Sequence, residues 1–131
     1  ISGDGGMQMN IQEFATAVLE ELPLILCVFN NEYLGMVRQW QDLFYGQRYS
    51  QTVLNDRVDF AKVAEGLGAK GYTVSTCEEF DNAVKEAIEL NIPVVIDAQI
   101  DKDDKVFPMV APGAPISECF GEEDVAEKFG R

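Results

Sequence analysis

The chain contains no histidine. Its absence excludes Ser-His-Asp and Cys-His catalysis by this chain and removes the usual ligand of zinc sites. The cysteines are three in number and far apart, at Cys27, Cys77 and Cys119, so no disulfide framework and no metal knuckle are predicted. Scattered thiols of this kind are typical of a reducing compartment, and we expect a cytoplasmic location.

Basic residues are also scarce. Lys and Arg number 10 against 23 Asp and Glu, which gives a net charge of −13. This balance argues against binding to nucleic acid and to anionic membrane surfaces, and no apolar run is long enough to span a bilayer. An acidic chain can still bind a diphosphate where backbone N–H groups and a cation provide the local positive charge.

The 131 residues, 47% of them hydrophobic, are enough for one domain with a core. The first regular element is a predicted helix over 10–22, capped by Asn10 in a capping box with Glu13 and ended by Pro23. Its inward face is predicted to consist of Ile11, Phe14, Val18, Leu19 and Leu22.

Two buried strands are predicted, over 24–29 and 93–100, and a short strand over 69–74. A short helix followed by a loop is predicted within 35–49. A further helix, over 60–67, is capped by Asp59 and followed by Gly68 at its C′ position. The last helix reaches Leu90 from a Thr76–Glu79 capping box. Its inward face is predicted to consist of Phe80, Ala83, Val84, Ala87 and Ile88.

This alternation predicts an α/β fold, with a parallel sheet and helices on both of its faces. We expect residues 1–100 to form this domain and residues 101–131 to form an extended arm without a core of its own. Because the chain begins two residues before a glycine turn, we also expect a piece of a longer protein whose first strand is reduced to a stub.

Two polar turns follow strands in this scheme, Gly3-Asp4-Gly5 after the stub and Asn30-Asn31 after the 24–29 strand. Ligands of parallel sheets lie beyond the carboxyl ends of the strands, so both turns are expected at one edge. Either turn alone is a common structural feature. Together they offer oxygen ligands for a hard cation, a carboxylate from Asp4 and a carbonyl from Asn31, while Gly5 permits close approach of a phosphate.

Met36 and Trp40 lie four residues apart, and on a helix they would share a face. They could form an apolar wall over a cofactor, or they could simply pack a short helix. Arg38 is expected to form a surface salt bridge, although it could also hold a substrate carboxylate.

Longer stretches of the chain resemble the large catalytic subunit of acetolactate synthase, a Mg2+- and thiamin diphosphate-dependent enzyme. GDG…NN is the cofactor signature of the wider enzyme class, and the run NNEYLGMVRQWQDLFY followed by RYS is far more specific. The segments GDGGMQMN near the start, PVVID at 93–97 and FPMV at 107–110 are also similar to that family.

The resemblance implies particular roles. Mg2+ would be bound by the side chains of Asp4 and Asn31 and by the main-chain carbonyl of Tyr33. The residues expected around the diphosphate are Gly3, Gly5, Gly6 and Asn31, and those expected against the cofactor body are Gly35 and Met36. The substrate channel would be bordered by Met36, Val37 and Trp40. Residues 39–50 would form a mobile active-site loop, and the tail from about 106 would close over the site.

The resemblance also implies the reaction, in which pyruvate loses CO2 and is joined to a second 2-oxo acid, pyruvate or 2-oxobutyrate, in branched-chain amino-acid biosynthesis. It implies FAD, bound in a part of such enzymes that this chain does not contain, and a homo-oligomer formed through thiamin diphosphate domains. Whether a regulatory small subunit binds stays open. No acid or base is assigned to this chain, which we expect to be inactive alone.

One departure is Gly6, where the family often has a serine whose hydroxyl could contact phosphate. Two alternatives stay open. The chain could belong to another thiamin diphosphate-dependent decarboxylase or carboligase, against which Trp40 and its RQWQ context argue. It could also be a module that only binds the cofactor or forms oligomers.

Overall fold

The computed structural model describes residues 1–54 and 58–130. In this part of the chain, four parallel strands form one sheet in the order β1-β2-β4-β3. The strands are β1 (Ser2–Gly3), β2 (Ile25–Asn30), β3 (Lys70–Val74) and β4 (Val94–Gln99). The predicted α/β class with a parallel sheet is therefore confirmed, and the first strand has two residues.

The α-helices of the described residues are α1 (Asp4–Asn10), α2 (Glu13–Leu19), α3 (Gly35–Phe44), α4 (Phe60–Gly66), α5 (Cys77–Leu90) and α6 (Val125–Phe129). Short 3-10 turns cover Ile116–Glu118 and Glu122–Asp124. None of the helices within 1–54 and 58–130 combines the length and the apolar character that a membrane crossing needs.

Helices cover both faces of the sheet, as predicted. Side chains of a strand alternate between its faces, and β4 shows this directly. Val95 packs with residues of α1, α2 and α4, whereas Val94, Ile96 and Ala98 pack with Ala83 and the rest of the α5 face. The strand is thus buried on both sides, which explains its continuous apolar run.

The predicted caps of α4 and α5 are confirmed. The Asp59 side chain accepts a hydrogen bond from the backbone N–H of Lys62. Thr76 and Glu79 form the predicted capping box. Gly68 follows the C-cap of α4 with a φ of +93°, a conformation that favours glycine.

The predicted helix over 10–22 is wrong in its start and in its face. Helical structure begins at Asp4, breaks after Asn10 and resumes at Glu13, with neither helix capped by a side chain. The inward face follows Met7, Ile11, Phe14 and Ala17 at ordinary helical spacing across the break, so Leu19 lies off this face and is 78% exposed. Ile88 of α5, at 65% exposed, was also wrongly placed inward.

The described residues divide into two compact units. The sheet unit comprises the described residues of 1–34 and 53–102, and the tail unit those of 35–52 and from 103 onward. In the tail unit, Met109 and Phe120 are buried with Leu43 of α3. The expectation that residues 101–131 form an arm without a core therefore needs correction, because their apolar residues share a core with α3. The predicted division at residue 100 stays a prediction.

Candidate functional site

Asp4 begins α1 directly after β1. Gly3 is paired with Phe29 of β2, so Asp4 stands at the level of Asn30, where β2 ends. The Asp4 side chain is buried, and its Oδ1 atom accepts the backbone N–H of Gly5 at 2.8 Å. The Oδ2 atom has no hydrogen-bond partner among the described residues. One carboxylate oxygen of this buried side chain therefore lacks a partner among the described residues.

The asparagine loop, residues 30–34, is shaped by its own side chains. Oδ1 of Asn30 accepts the N–H of Glu32, and Oδ1 of Asn31 accepts the N–H of Tyr33, each at 3.1 Å. Glu32 takes a φ of +62°. A carbonyl oxygen has two lone pairs, so Oδ1 of Asn31 keeps acceptor capacity for a cation.

A neighbouring segment braces this loop. The N–H of Leu54 donates to the carbonyl of Glu32 at 2.9 Å, and Tyr33 forms an antiparallel bridge with Val53. These bonds hold the backbone at Tyr33, the residue whose carbonyl is the predicted third metal ligand.

The glycine turn lies close to the asparagine loop and its brace. A Cβ atom at Gly5 would stand 3.1 Å from a methyl of Leu54 and 3.5 Å from one of Leu34. At Gly6, a Cβ would stand 2.8 Å from Oγ of Ser2. The absence of a side chain at Gly5 thus allows the start of α1 to approach the loop and Leu54. The Gly5 N–H donates a hydrogen bond to Asp4 Oδ1. A Cβ atom at Gly3 would meet no other atom within 4 Å.

A polar cavity of about 320 Å3 opens at the carboxyl ends of β2 and β4. Its lining consists of Asn30, Asn31, Glu32, Tyr33, Gln99, Ile100, Asp101 and Lys102. A more apolar cavity of about 360 Å3 lies between the strand ends and the start of α5, and no predicted site residue lines it. The amide, carbonyl and carboxylate oxygens of the first cavity suit a cation, so it is the better candidate. Asn31 and Tyr33 line it, whereas Asp4 and the predicted glycines do not.

Asp97 is a buried carboxyl group that the sequence analysis did not place in the site. It is 2% exposed, and its Oδ1 has no hydrogen-bond partner in residues 1–54 and 58–130. The pKa of Asp97 is raised, chiefly by burial and further by the negative charges of Asp59 and Asp4. Hydrogen bonds with the Asn30 side chain and the Phe60 backbone favour the charged form and oppose this rise. An acidic residue inside the apolar run PVVIDAQI was the signal that could have revealed it.

The residues present fit a magnesium ion better than a softer metal. Within the described ranges, no group of three or more His, Cys, Asp or Glu side chains could hold a metal. Mg2+ needs no such cluster, because it is commonly bound by one or two carboxylates together with substrate phosphates. The set of Asp4, Asn31 and the Tyr33 carbonyl stays a prediction, which is supported by the lack of a partner for Asp4 Oδ2 among the described residues.

Other predicted site residues belong to the tail unit. Gly35 begins α3, and Met36 and Val37 of its first turn are 50% and 46% exposed. Trp40 packs at the edge of the tail core and meets the Phe44 ring edge-on at 6.0 Å. Trp40 thus packs within its own unit, which was the structural alternative for this residue. The cofactor and channel roles of these residues stay predictions.

Arg38 forms the salt bridge that was expected of it. Its guanidinium donates from Nε and Nη2 to Oδ1 of Asp103, at 3.0 and 2.6 Å, and lies over the Tyr49 ring at 4.1 Å. Beside it, Oδ1 of Asp42 accepts hydrogen bonds from Tyr49 and Gln47 at 2.9 Å.

This set of contacts, here termed the arginine network, also includes an ion pair from Lys105 to Asp42 at 3.3 Å. Burial alone would raise the pKa of Asp42, but the hydrogen bonds from Gln47 and Tyr49 and the charge of Lys105 lower it. Together these contacts tie the segment after α3 to the helix and to the 103–105 stretch.

Comparison with known proteins defines the class of protein that this fold and site represent. Residues 1–98 match the family model of the C-terminal TPP binding domain of thiamine pyrophosphate enzymes. The chain belongs to this family. Thiamine pyrophosphate and thiamin diphosphate are two names for one molecule.

Curated relatives make the comparison more specific. The chain is 42% identical over 119 residues, 90% of its length, to the acetolactate synthase large subunit of Haemophilus influenzae. It is 40% identical over 123 residues to the isozyme 3 large subunit of Escherichia coli. The resemblance to acetolactate synthase large subunits is thus confirmed. The chain spans about a fifth of the length of these relatives.

Solved structures agree on the fold. A benzoylformate decarboxylase from Polynucleobacter necessarius matches 80% of this chain and 20% of its own, with a TM-score of 0.72 and 30% identity. A thiamine diphosphate-dependent 4-hydroxybenzoylformate decarboxylase from Rhodococcus jostii matches 76% of this chain and 19% of its own, with a TM-score of 0.70 and 26% identity.

Proposed function

We propose that this chain provides the Mg2+- and diphosphate-binding part of a thiamin diphosphate-dependent acetolactate synthase. The observation that carries the proposal is the buried Asp4 carboxyl group, whose Oδ2 atom lacks a partner in the described part of the chain. Leaving such an atom unpaired costs about 1–3 kcal/mol, and a bound cation would remove this cost. The identity of about 40% to acetolactate synthase large subunits favours that member of the family.

In this proposal Mg2+ is held by three oxygens of the sheet unit, from the side chains of Asp4 and Asn31 and the main chain of Tyr33. The cation would neutralise the diphosphate, which Gly3, Gly5, Gly6 and Asn31 would surround. Their role is positional, since a fixed diphosphate fixes the rest of the cofactor relative to its substrate.

When bound, thiamin diphosphate supplies a carbon nucleophile for a 2-oxo acid and accommodates the electron pair released with CO2. Pyruvate is the proposed donor, and pyruvate or 2-oxobutyrate the proposed acceptor, as in branched-chain amino-acid biosynthesis. This chain's residues bind and orient, and none is assigned a proton transfer.

The intact protein is further proposed to be a cytoplasmic homo-oligomer that holds FAD outside this chain. The relatives are named large subunits, which supports assembly with further subunits, including a small one. Because the chain spans about a fifth of those relatives, we propose that it is inactive alone.

Two alternatives each have an observation in their favour. The solved structures are benzoylformate decarboxylases, which favours a simple decarboxylase, although their 26–30% identity is lower than the 42% found for acetolactate synthase. A module that only binds cofactor or forms oligomers is favoured by the family match, which is to a TPP binding domain alone.

The substrate test uses the intact protein with Mg2+, thiamin diphosphate and FAD. Pyruvate should yield CO2 and acetolactate, in a ratio of one to one. Turnover of benzoylformate without a condensation product would favour the simple decarboxylase instead. Release of CO2 from pyruvate by this chain alone would contradict the proposal that it is inactive.

A further inference from the structure

Asp97 and Asn30 lie on one face of two adjacent strands. In the β2–β4 register, Val28 is paired with Asp97 and Asn30 with Gln99. Side chains two residues apart on a strand share a face, so Asn30 points to the same side as Val28, and Asp97 to the same side as Val95. Val28 and Val95 both belong to the core cluster that α1, α2 and α4 cover.

Both polar side chains are deeply buried on that face. Asn30 is 5% exposed and Asp97 is 2% exposed. The Asp97 carboxyl group has two hydrogen-bond partners, the side chain of Asn30 and the backbone of Phe60, which is the first residue of α4. The carboxyl group therefore stands between the end of β2 and the beginning of α4.

Asn30 in turn holds the asparagine loop. Its Oδ1 accepts the N–H of Glu32, and this bond turns the backbone immediately before Tyr33. The side chain that Asp97 contacts is thus the one that orients the loop carrying two of the three predicted metal ligands.

We infer that Asp97 is a positioning residue, which fixes Asn30 between β2 and α4 and so sets the orientation of Asn31 and of the Tyr33 carbonyl toward the metal. This inference rests on the proposed function. Buried partners behind metal ligands commonly change metal affinity by about 10–100-fold when they are removed.

The first measurement is the Kd of Mg2+ for the intact protein at saturating thiamin diphosphate. Asp97→Asn should raise this Kd about tenfold, without lowering the urea midpoint of unfolding. Asp104→Asn removes the same charge at an exposed position of the tail unit and should leave both values unchanged. A Kd within twofold of the wild type, or a loss of affinity matched by a loss of stability, would overturn the inference.

The second measurement needs no cofactor. Amide hydrogen exchange in peptides covering residues 30–34 should be several-fold faster in Asp97→Asn, while exchange in β4 stays unchanged. If the wild-type protein binds no Mg2+ or cofactor, the proposed function fails, and this exchange result alone decides the positioning role. Unchanged exchange at 30–34 would refute it.

A double-variant cycle tests whether the two side chains act as one. Asn30→Ala removes the other member of the pair and should raise the Mg2+ Kd by itself. If Asp97 acts through Asn30, adding Asp97→Asn to Asn30→Ala should raise it no further. Additive effects would show that Asp97 acts by another route. Asn30→Ala also provides the exchange readout should Asp97→Asn fail to fold.

Discussion

The two units treat their polar groups in opposite ways. At the edge of the sheet unit, Asp4 and Asp97 are buried, and each has a carboxylate oxygen without a partner among the described residues. In the tail unit, the arginine network is more exposed, and Arg38, Asp42 and Asp103 are paired within the protein.

The difference is between a proposed ligand site and a structural tie. Buried polar atoms are nearly always satisfied in folded proteins, so the Asp4 oxygen that has no partner among the described residues supports the proposed metal site. Paired groups near the surface have already found their partners and hold one segment to another. The following predictions test this distinction, beginning with the largest expected effect.

Asp4→Ala should reduce the Mg2+-dependent activity of the intact protein by at least about 100-fold, because it removes the only side-chain carboxylate proposed as a metal ligand. Product formation from pyruvate is the readout, with Asp104→Asn as the control of equal charge change. Activity retained within a few-fold of wild type would mean that Asp4 does not hold the metal.

Arg38→Ala should lower the free energy of unfolding of the chain by about 1–2 kcal/mol, since it removes an ion pair and the contact with the Tyr49 ring. Arg38→Lys keeps the charge but not the planar fork, and it should recover only part of this loss. Urea unfolding at low and high salt measures both. An Arg38→Ala variant as stable as the wild type would show that the Arg38 contacts do not stabilise the tail unit.

The pH dependence of stability should differ in sign between Asp97 and Asp42. Burial raises the pKa of Asp97, so its contribution is fully present below the usual aspartate pKa of 3.8 and is lost as the pH rises through the folded-state value. The pKa of Asp42 is lowered despite its burial, so its contribution is present above 3.8 and is lost as the pH falls through the folded-state value.

Urea unfolding of Asp97→Asn and Asp42→Asn checks these signs. It is measured from about pH 3 to about pH 7, a range that includes the titration of aspartate side chains. Relative to wild type, Asp97→Asn should become more stable as the pH rises, and Asp42→Asn should become less stable. Parallel profiles for the two variants would contradict the contrast.

Tyr49→Phe should have the smallest effect, a loss of about 0.5 kcal/mol or less, because it removes one exposed hydrogen bond to Asp42 and leaves the ring beneath Arg38. Thermal unfolding of the variant beside Arg38→Ala separates the hydrogen bond from the ring contact. A loss as large as that of Arg38→Ala would assign the stability of the network to the Tyr49 hydroxyl.

Much of the fold could be predicted because its signals are local. The Asp59 cap and the Thr76–Glu79 capping box depend on residues within one turn, and the structure confirms both. The start of α1 at Asp4 was missed, because the expected cap at Asn10 was a plausible local signal that tertiary structure overrode.

The site shows the same division between local and long-range information. The turns at Asp4 and Asn31 were recognisable from short motifs, and their closeness followed from parallel pairing. The burial of Asp97 depends on α4 packing over β4. The need for glycine at position 71 has the same origin, because α4 packs so closely on β3 that a Cβ there would collide with the backbone of Ala61. An acidic residue inside the apolar run at 93–100 is a local sign of a buried polar group, but neither segment alone shows which helix covers it.

The most direct test of the central claim is a calorimetric titration of Mg2+ and thiamin diphosphate into the intact wild-type protein and its Asp4→Asn variant. The metal site proposed here predicts Mg2+-dependent cofactor binding by the wild type and at least about 100-fold weaker binding by Asp4→Asn. Equal affinity of the two proteins for the cofactor with Mg2+ would contradict it.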